Sequence, residues 1–145
     1  MAYNVFISFD SKDTDLARDL SKRLEKAGLT VQTSTGKIDN PRDVDDRIEN
    51  LKKADEVIFL ISNNAIDGNK VLFDMGIANG LKKPLTPILV GLRPRELPAI
   101  VQGLEFIKYD ELERYIGKLQ KMVEIVSKPP VKAQSKPGEP SNAAA

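Results

Sequence analysis

Asp74 is the residue of this 145-residue chain most out of keeping with its neighbours. It stands in Val71-Leu72-Phe73-Asp74-Met75-Gly76-Ile77-Ala78, and at helical distances of three and four its neighbours are Lys70, Val71, Ile77 and Ala78. A carboxylate ringed by apolar side chains is unfavourable unless it has a partner or a task. Two readings stand: Asp74 lies at a helix border and meets Lys70 or solvent, or it is aimed into a cleft. Cysteine and histidine are both absent. That removes thiol nucleophiles, disulfides, imidazole bases and most zinc or iron sites. Any catalysis must run on carboxylates, hydroxyls, amides, lysines and arginines, with no metal.

The elements that must position Asp74 alternate between strand and helix. Tyr3 to Phe9 is a short β-rich run, buried on both faces. Asp10 to Asp13 is a polar loop with Asp13 as N-cap. Leu16, Ala17, Leu20, Leu24 and Ala27 recur at helical spacing, and Gly28 stops that helix. Leu29 to Thr33 is the second strand. After a polar loop, Asn40 and Pro41 open a helix whose buried side is Val44, Ile48 and Leu51. Val57 to Ile61 is the central strand, Ser62 to Asp67 a loop, and about Gly68 to Leu81 a helix. Gly76 and Gly80 disfavour that helix locally, which close packing of the helix on a neighbour would explain. Leu85 to Val90 is a fourth strand whose Pro87 argues for a place near an edge. Phe106 to Tyr109 is a short fifth. Asp110 caps a last helix with the stripe Leu112, Tyr115, Ile116, Leu119, Met122, Val123 and Val126.

This alternation implies right-handed crossovers and an α/β fold with helices on both faces of a parallel sheet. Five strands of this size suggest a flavodoxin-like, three-layer arrangement in the order 2-1-3-4-5, with ligands bound at the carboxyl ends of the strands. A phospho-receiver needs an aspartate after the third strand, where Ser62 stands. A flavin-phosphate loop needs glycine after the first strand, where Asp10-Ser11-Lys12-Asp13 has none. GxGxxG and the P-loop are both absent.

The net charge of +1 gives no bulk attraction to nucleic acid or membrane. The first residues carry no basic n-region, and no apolar run approaches ~18 residues. The expected location is the cytoplasm, with neither nucleic acid nor membrane as partner. Residues 1–126 read as one domain, and 127–145 as a disordered Pro-rich linker or tail, with Pro129, Pro130, Pro137 and Pro140 and no aromatic residue.

Val5 to Asp13 resembles the first-strand motif of TIR (Toll/interleukin-1 receptor) domains, as do Leu16-Ala17 to Leu24 with Gly28 and Ser62-Asn63-Asn64 after the third strand. Val71 to Ala78, followed by Lys83-Pro84 and Pro87 to Val90, is similar to that family's third main helix and fourth strand. The resemblance runs from Tyr3 to about Val126 and is to the bacterial type.

The resemblance implies an enzyme that cleaves the nicotinamide–ribose bond of NAD+, as an effector in bacterial defence or signalling. The alternative is a non-catalytic TIR domain that works by TIR–TIR self-assembly or adaptor docking. A nucleoside deoxyribosyltransferase-like enzyme, with a similar acidic helix, is a third reading. Family enzymes use a glutamate where Asp74 stands, which makes Asp74 the expected catalytic residue. Phe9, Asp10, Ser11 and Lys12 would line the nucleotide side together with Ser62, unless they form an ordinary capped turn. Lys37 would meet phosphate, unless it is a plain solvated lysine. NAD+ enters as substrate, so no cofactor is expected. The partners implied are other TIR domains, packed through the loop from Ser34 to Asp43, and a sensor domain beyond the tail.

Overall fold

The computed structural model describes residues 3–33, 40–97 and 99–127. In chain order the elements are β1 (Asn4–Ser8), α1 (Thr14–Lys26), β2 (Thr30–Thr33), α2 (Pro41–Lys52), β3 (Glu56–Ile61), α3 (Asn63–Gly68), α4 (Lys70–Gly80), β4 (Leu85–Leu89), α5 (Ala99–Gln102), β5 (Ile107–Lys108) and α6 (Leu112–Ser127). The strands form one five-stranded sheet in the order β2-β1-β3-β4-β5, with every pairing parallel. This is the expected α/β topology.

Side chains alternate across each strand, so the sheet feeds two cores. Val5, Ile7, Ile58, Leu60 and Ile88 pack under Leu20 and Leu24 of α1 and Leu112, Ile116 and Leu119 of α6. Phe6, Val57, Phe59, Ile61 and Leu89 pack under Leu51 of α2, Ala65 of α3 and Val71, Met75 and Ala78 of α4. β3 is buried at all of its positions, as a central strand should be. Gly28 follows α1 at φ +96°, a conformation few side chains tolerate. Asn40 caps α2 by accepting the Asp43 N–H at 3.0 Å, with Pro41 in the first helical position.

Several local expectations change. The stretch expected as a loop after β3 is helix α3, because the Ser62 hydroxyl accepts the Ala65 N–H at 3.1 Å and starts a helix at once. Asn69, left-handed at φ 67°, separates it from α4. Asp110 lies inside a 3-10 turn, Tyr109–Glu111, rather than capping α6. Met122 is 42% exposed and leaves the buried stripe. A Cβ at Gly76 or Gly80 would meet nothing within 4 Å, so close helix packing does not account for either glycine. Pro87 sits on β4 with β5 beyond it. The Val90 N–H reaches Ile61 of β3, and alternation turns the Pro87 nitrogen toward the other side. There β5 pairs with Ile88 and Leu89 alone, so the missing donor disrupts no ladder bond. The tail expected from Ser127 onward lies outside the described residues, except for Ser127 itself, which closes α6.

At the amino end of the sheet, Glu56 opens β3 at 6% exposure. Its carboxylate accepts from the Tyr3 hydroxyl at 2.7 Å, the Thr86 hydroxyl at 2.7 Å, and the Tyr115 hydroxyl. This cluster joins β1, β3, β4 and α6. Burial, then the Glu56 charge, pushes Tyr115 well above the ordinary tyrosine range, and burial with the Glu56 hydrogen bond does the same to Tyr3. In the unfolded chain both titrate near ~10. Above that pH the unfolded state releases protons that the folded state retains, so stability falls as pH rises. The urea midpoint should therefore drop between about pH 9 and about pH 11, and Tyr115→Phe should drop less over the same interval. Equal declines for parent and variant would contradict this assignment.

Candidate functional site

From β1 the chain crosses to one side for β2 and to the other for β3, which opens a crevice at the carboxyl ends of β1 and β3. Ser8 ends β1 there and Phe9 follows it, and Ser62 follows β3. Two helices deliver opposite charges to it. Asp74 comes from α4 and is 0% exposed, and Arg47 comes from α2 and is 6% exposed. The Ser8 hydroxyl donates to Asp74 Oδ2 at 2.6 Å, and Arg47 Nε donates to Asp74 Oδ1. Asp74 is therefore closed to solvent, and its hydrogen bonds go to Ser8 and Arg47, while Lys70 only feels its charge. Its partner comes from a different helix, and both of its oxygens are engaged.

A guanidinium edge fits a carboxylate two-on-two. Here Ser8 holds the second oxygen, and Arg47 Nη2 is left buried without a hydrogen-bond partner.

A second cluster fixes the rim. Asp13 occupies the N-cap position of α1 but makes no side-chain cap bond. Its carboxylate instead accepts from the Ser62 hydroxyl and, at 2.9 Å, from Asn64 Nδ2, tying the β1 loop to the start of α3. Asp10 accepts the Lys12 N–H at 2.9 Å and turns its other oxygen toward Gly68, where a Cβ would collide with it. Lys70 opens α4 with its ammonium 5.5 Å from the centre of the Phe9 ring. Burial lowers the Lys70 pKa and the nearby Arg47 charge lowers it further, against opposing pulls from Asp74 and Asp10.

The crevice thus gathers Phe9, Asp10, Ser62 and Asp74 from the sequence candidates. Ser11 and Lys12 are exposed on the adjoining turn, and Lys37 lies outside the described residues. Sequence reasoning did not name Ser8, Arg47 or Lys70 as site residues. A signal for Arg47 existed: it precedes Leu51 by four residues and so shares the buried face of α2. Among the described residues, no group of three or more Asp or Glu stands together to hold a metal, and no helix is long and apolar enough to cross a membrane.

Removing one member of a buried ion pair strands the other and typically costs ~3–5 kcal/mol. Arg47→Met should lower the urea-derived stability by about that much, and Arg47→Met with Asp74→Leu should recover most of the loss. Single and double variants of equal stability would show that the pair does not join α2 to α4.

Comparison with known proteins bears on what this crevice belongs to. The TIR domain family matches residues 5–123. No curated protein matches the sequence. Among solved structures, the TIR domain of the Toll-related receptor TRR-2 from Hydra magnipapillata superposes with a TM-score of 0.62 at 23% identity, covering 85% of this chain and 99% of that one. The CMP N-glycosidase BcmB of Clostridium botulinum gives a TM-score of 0.53 at 18% identity, over 81% and 98% of the two chains. The TIR domains of the activated Roq1 resistosome, which recognises the pathogen effector XopQ, give 0.53 at 14% identity, over 86% and 85%. At these identities the likeness is one of fold.

Proposed function

The chain belongs to the TIR domain family, and from that membership we propose that it cleaves the N-glycosidic bond of NAD+, with Asp74 as the catalytic carboxylate. The observation that carries the reading is a carboxylate on α4 beside the carboxyl ends of β1 and β3, at the position where enzymes of the family carry glutamate. The likeness in fold to a CMP N-glycosidase supports the same class of bond. In the reaction the C1′–N bond breaks and its electron pair leaves with neutral nicotinamide. The ribose C1′ becomes oxocarbenium-like, water adds to it, and a proton is released. A fixed carboxylate facing C1′ stabilises that positive charge without rearranging during the step. Phe9, Asp10, Ser11 and Lys12 take the nucleotide side with Ser62, and Lys37, assigned to phosphate by the resemblance, lies outside the described residues.

Asp74 is fully enclosed, and its oxygens are held by Ser8 and Arg47. Contact with substrate therefore requires α2 and α4 to part slightly at this point. Self-association is the natural source of that change, so the domain works as an effector activated when copies gather, as in bacterial defence or signalling, under a sensor domain joined through the tail. A second reading is favoured by the same enclosure. Asp74 is one methylene shorter than glutamate, the tryptophan that enzymes of the family carry before it is missing, with Lys70 near its position, and both Asp74 oxygens already have partners. On that reading the domain is non-catalytic and acts through TIR–TIR contacts.

Nicotinamide release from NAD+ at high protein concentration separates the two. Catalysis predicts that specific activity rises with protein concentration. It also predicts that Asp74→Asn lowers turnover by ~100-fold or more while thermal unfolding stays cooperative. Parent-like turnover in Asp74→Asn would remove Asp74 from the role, and no release at any concentration would favour the assembly reading.

A further inference from the structure

α4 is apolar on both of its sides. Val71, Met75 and Ala78 are buried in the core beneath it. On the opposite side Phe73 is 43% exposed, and Gly76 and Gly80 follow it at helical spacing, also exposed. Leu72, Ile77 and Leu81 flank them partly buried. The single charged residue between Lys70 and Lys82 is Asp74, which is enclosed, so the outer face carries no charge along the helix. A helix apolar all round belongs in an interior, and a continuous exposed apolar face marks contact with another molecule. The glycines agree with this. Each weakens the helix, and nothing in the chain comes within 4 Å of a Cβ built on either. Without side chains they leave a shallow floor beside Phe73, on which a ring from outside can rest.

The charges that frame this face point to its occupant. Lys70 is held over the Phe9 ring, and Lys83 donates its ammonium to the Lys52 carbonyl at 2.8 Å. That leaves Asp67 before α4 and Lys82 after it, both exposed, and neither forms an ion pair among the described residues. An acid at one end and a base at the other complement a second α4 laid antiparallel. Along the chain, positions 67 and 82 share their midpoint with positions 73 and 76. One two-fold axis therefore brings each Asp67 to the other copy's Lys82 and each Phe73 to the other copy's Gly76.

We propose that the outer face of α4 is a self-association surface, on which a second copy of this chain packs its own α4 antiparallel. One short helix covers less than the ~800 Å² per partner of a standard interface, so the pairing is weak and forms where copies gather. Its consequence for activity rests on the reading of Asp74 as the catalytic carboxylate: the contact bears on the helix that must part from α2.

The test follows the oligomeric state of the full chain by sedimentation from micromolar to millimolar concentration. The parent should pass from monomer to dimer within that range. Phe73→Ser and Gly76→Arg should each weaken the dimer by roughly tenfold or more. Gly76→Arg should do so while its monomer unfolds at the parent temperature or above, since a better helix former then stands in open space. Asp67→Lys and Lys82→Asp should each weaken association several-fold. An equimolar mixture of those two variants should dimerise at least as well as the parent, because every framing contact then joins opposite charges. A chain still monomeric at millimolar concentration would overturn the proposal. So would parent-like association of Gly76→Arg and Phe73→Ser, or a mixture no better than its components. Nicotinamide release is scored separately. Pairing through α4 without cleavage would sink the hydrolase reading alone, and cleavage without an α4 dimer would sink this contact alone.

Discussion

The carboxylate of Asp74, enclosed between the Ser8 hydroxyl and the Arg47 guanidinium, is the constraint on which the site depends. It ties the end of β1 to α2 and α4, the two long helices that cover one face of the sheet. A charge with no exposed surface is tolerated only with its partners in place. The position of α2 is therefore set as much by Arg47 reaching Asp74 as by Leu51 entering the core. Replacing such a pair with apolar groups is often neutral for stability, so its presence at the carboxyl ends of the strands, where open α/β sheets bind ligands, gives it meaning beyond packing.

The two ends of the sheet carry buried acids of different character. Glu56, at the amino end, is surrounded by the hydroxyls of Tyr3, Thr86 and Tyr115 and has no cation among its hydrogen-bond partners. It sits in a closed structural cluster that joins strands to α6. Asp74, at the carboxyl end, brings a cation with an unused donor, beside a second cation on an aromatic ring. The first arrangement is complete in itself. The second leaves one Arg47 donor without a protein partner, and it lies at the carboxyl ends of β1 and β3, where the strand order reverses.

Much of this was legible in the sequence, for identifiable reasons. Strands buried on both faces read as apolar runs, and Gly28, Asn40 and Pro41 mark helix ends through backbone geometry that few other residues satisfy, so element order and sheet topology follow from local signals. Asp74 stood out because its neighbours are apolar. Its partner did not, since Arg47 lies 27 positions away and an exposed arginine is the ordinary expectation on a helix as polar as α2. Two isolated charges of opposite sign on otherwise buried faces were the available clue. α3 was missed because a six-residue helix has no periodicity to read, and its start depends on one hydroxyl, Ser62, meeting one N–H. Asp13 looked like a cap because aspartate before a helix usually is one, and tertiary contact with Ser62 and Asn64 took the side chain elsewhere.

The central claim is that this crevice, organised by Asp74, receives a nucleotide. The most direct measurement is the map of backbone amide shifts as NAD+ is titrated into the domain. The account predicts shifts concentrated at Ser8 to Asp13, at Arg47, and at Ser62 to Asp74, with the amino end of the sheet around Asn4, Thr30 and Glu56 unmoved. Shifts centred on that opposite end, or none at saturating NAD+, would contradict it.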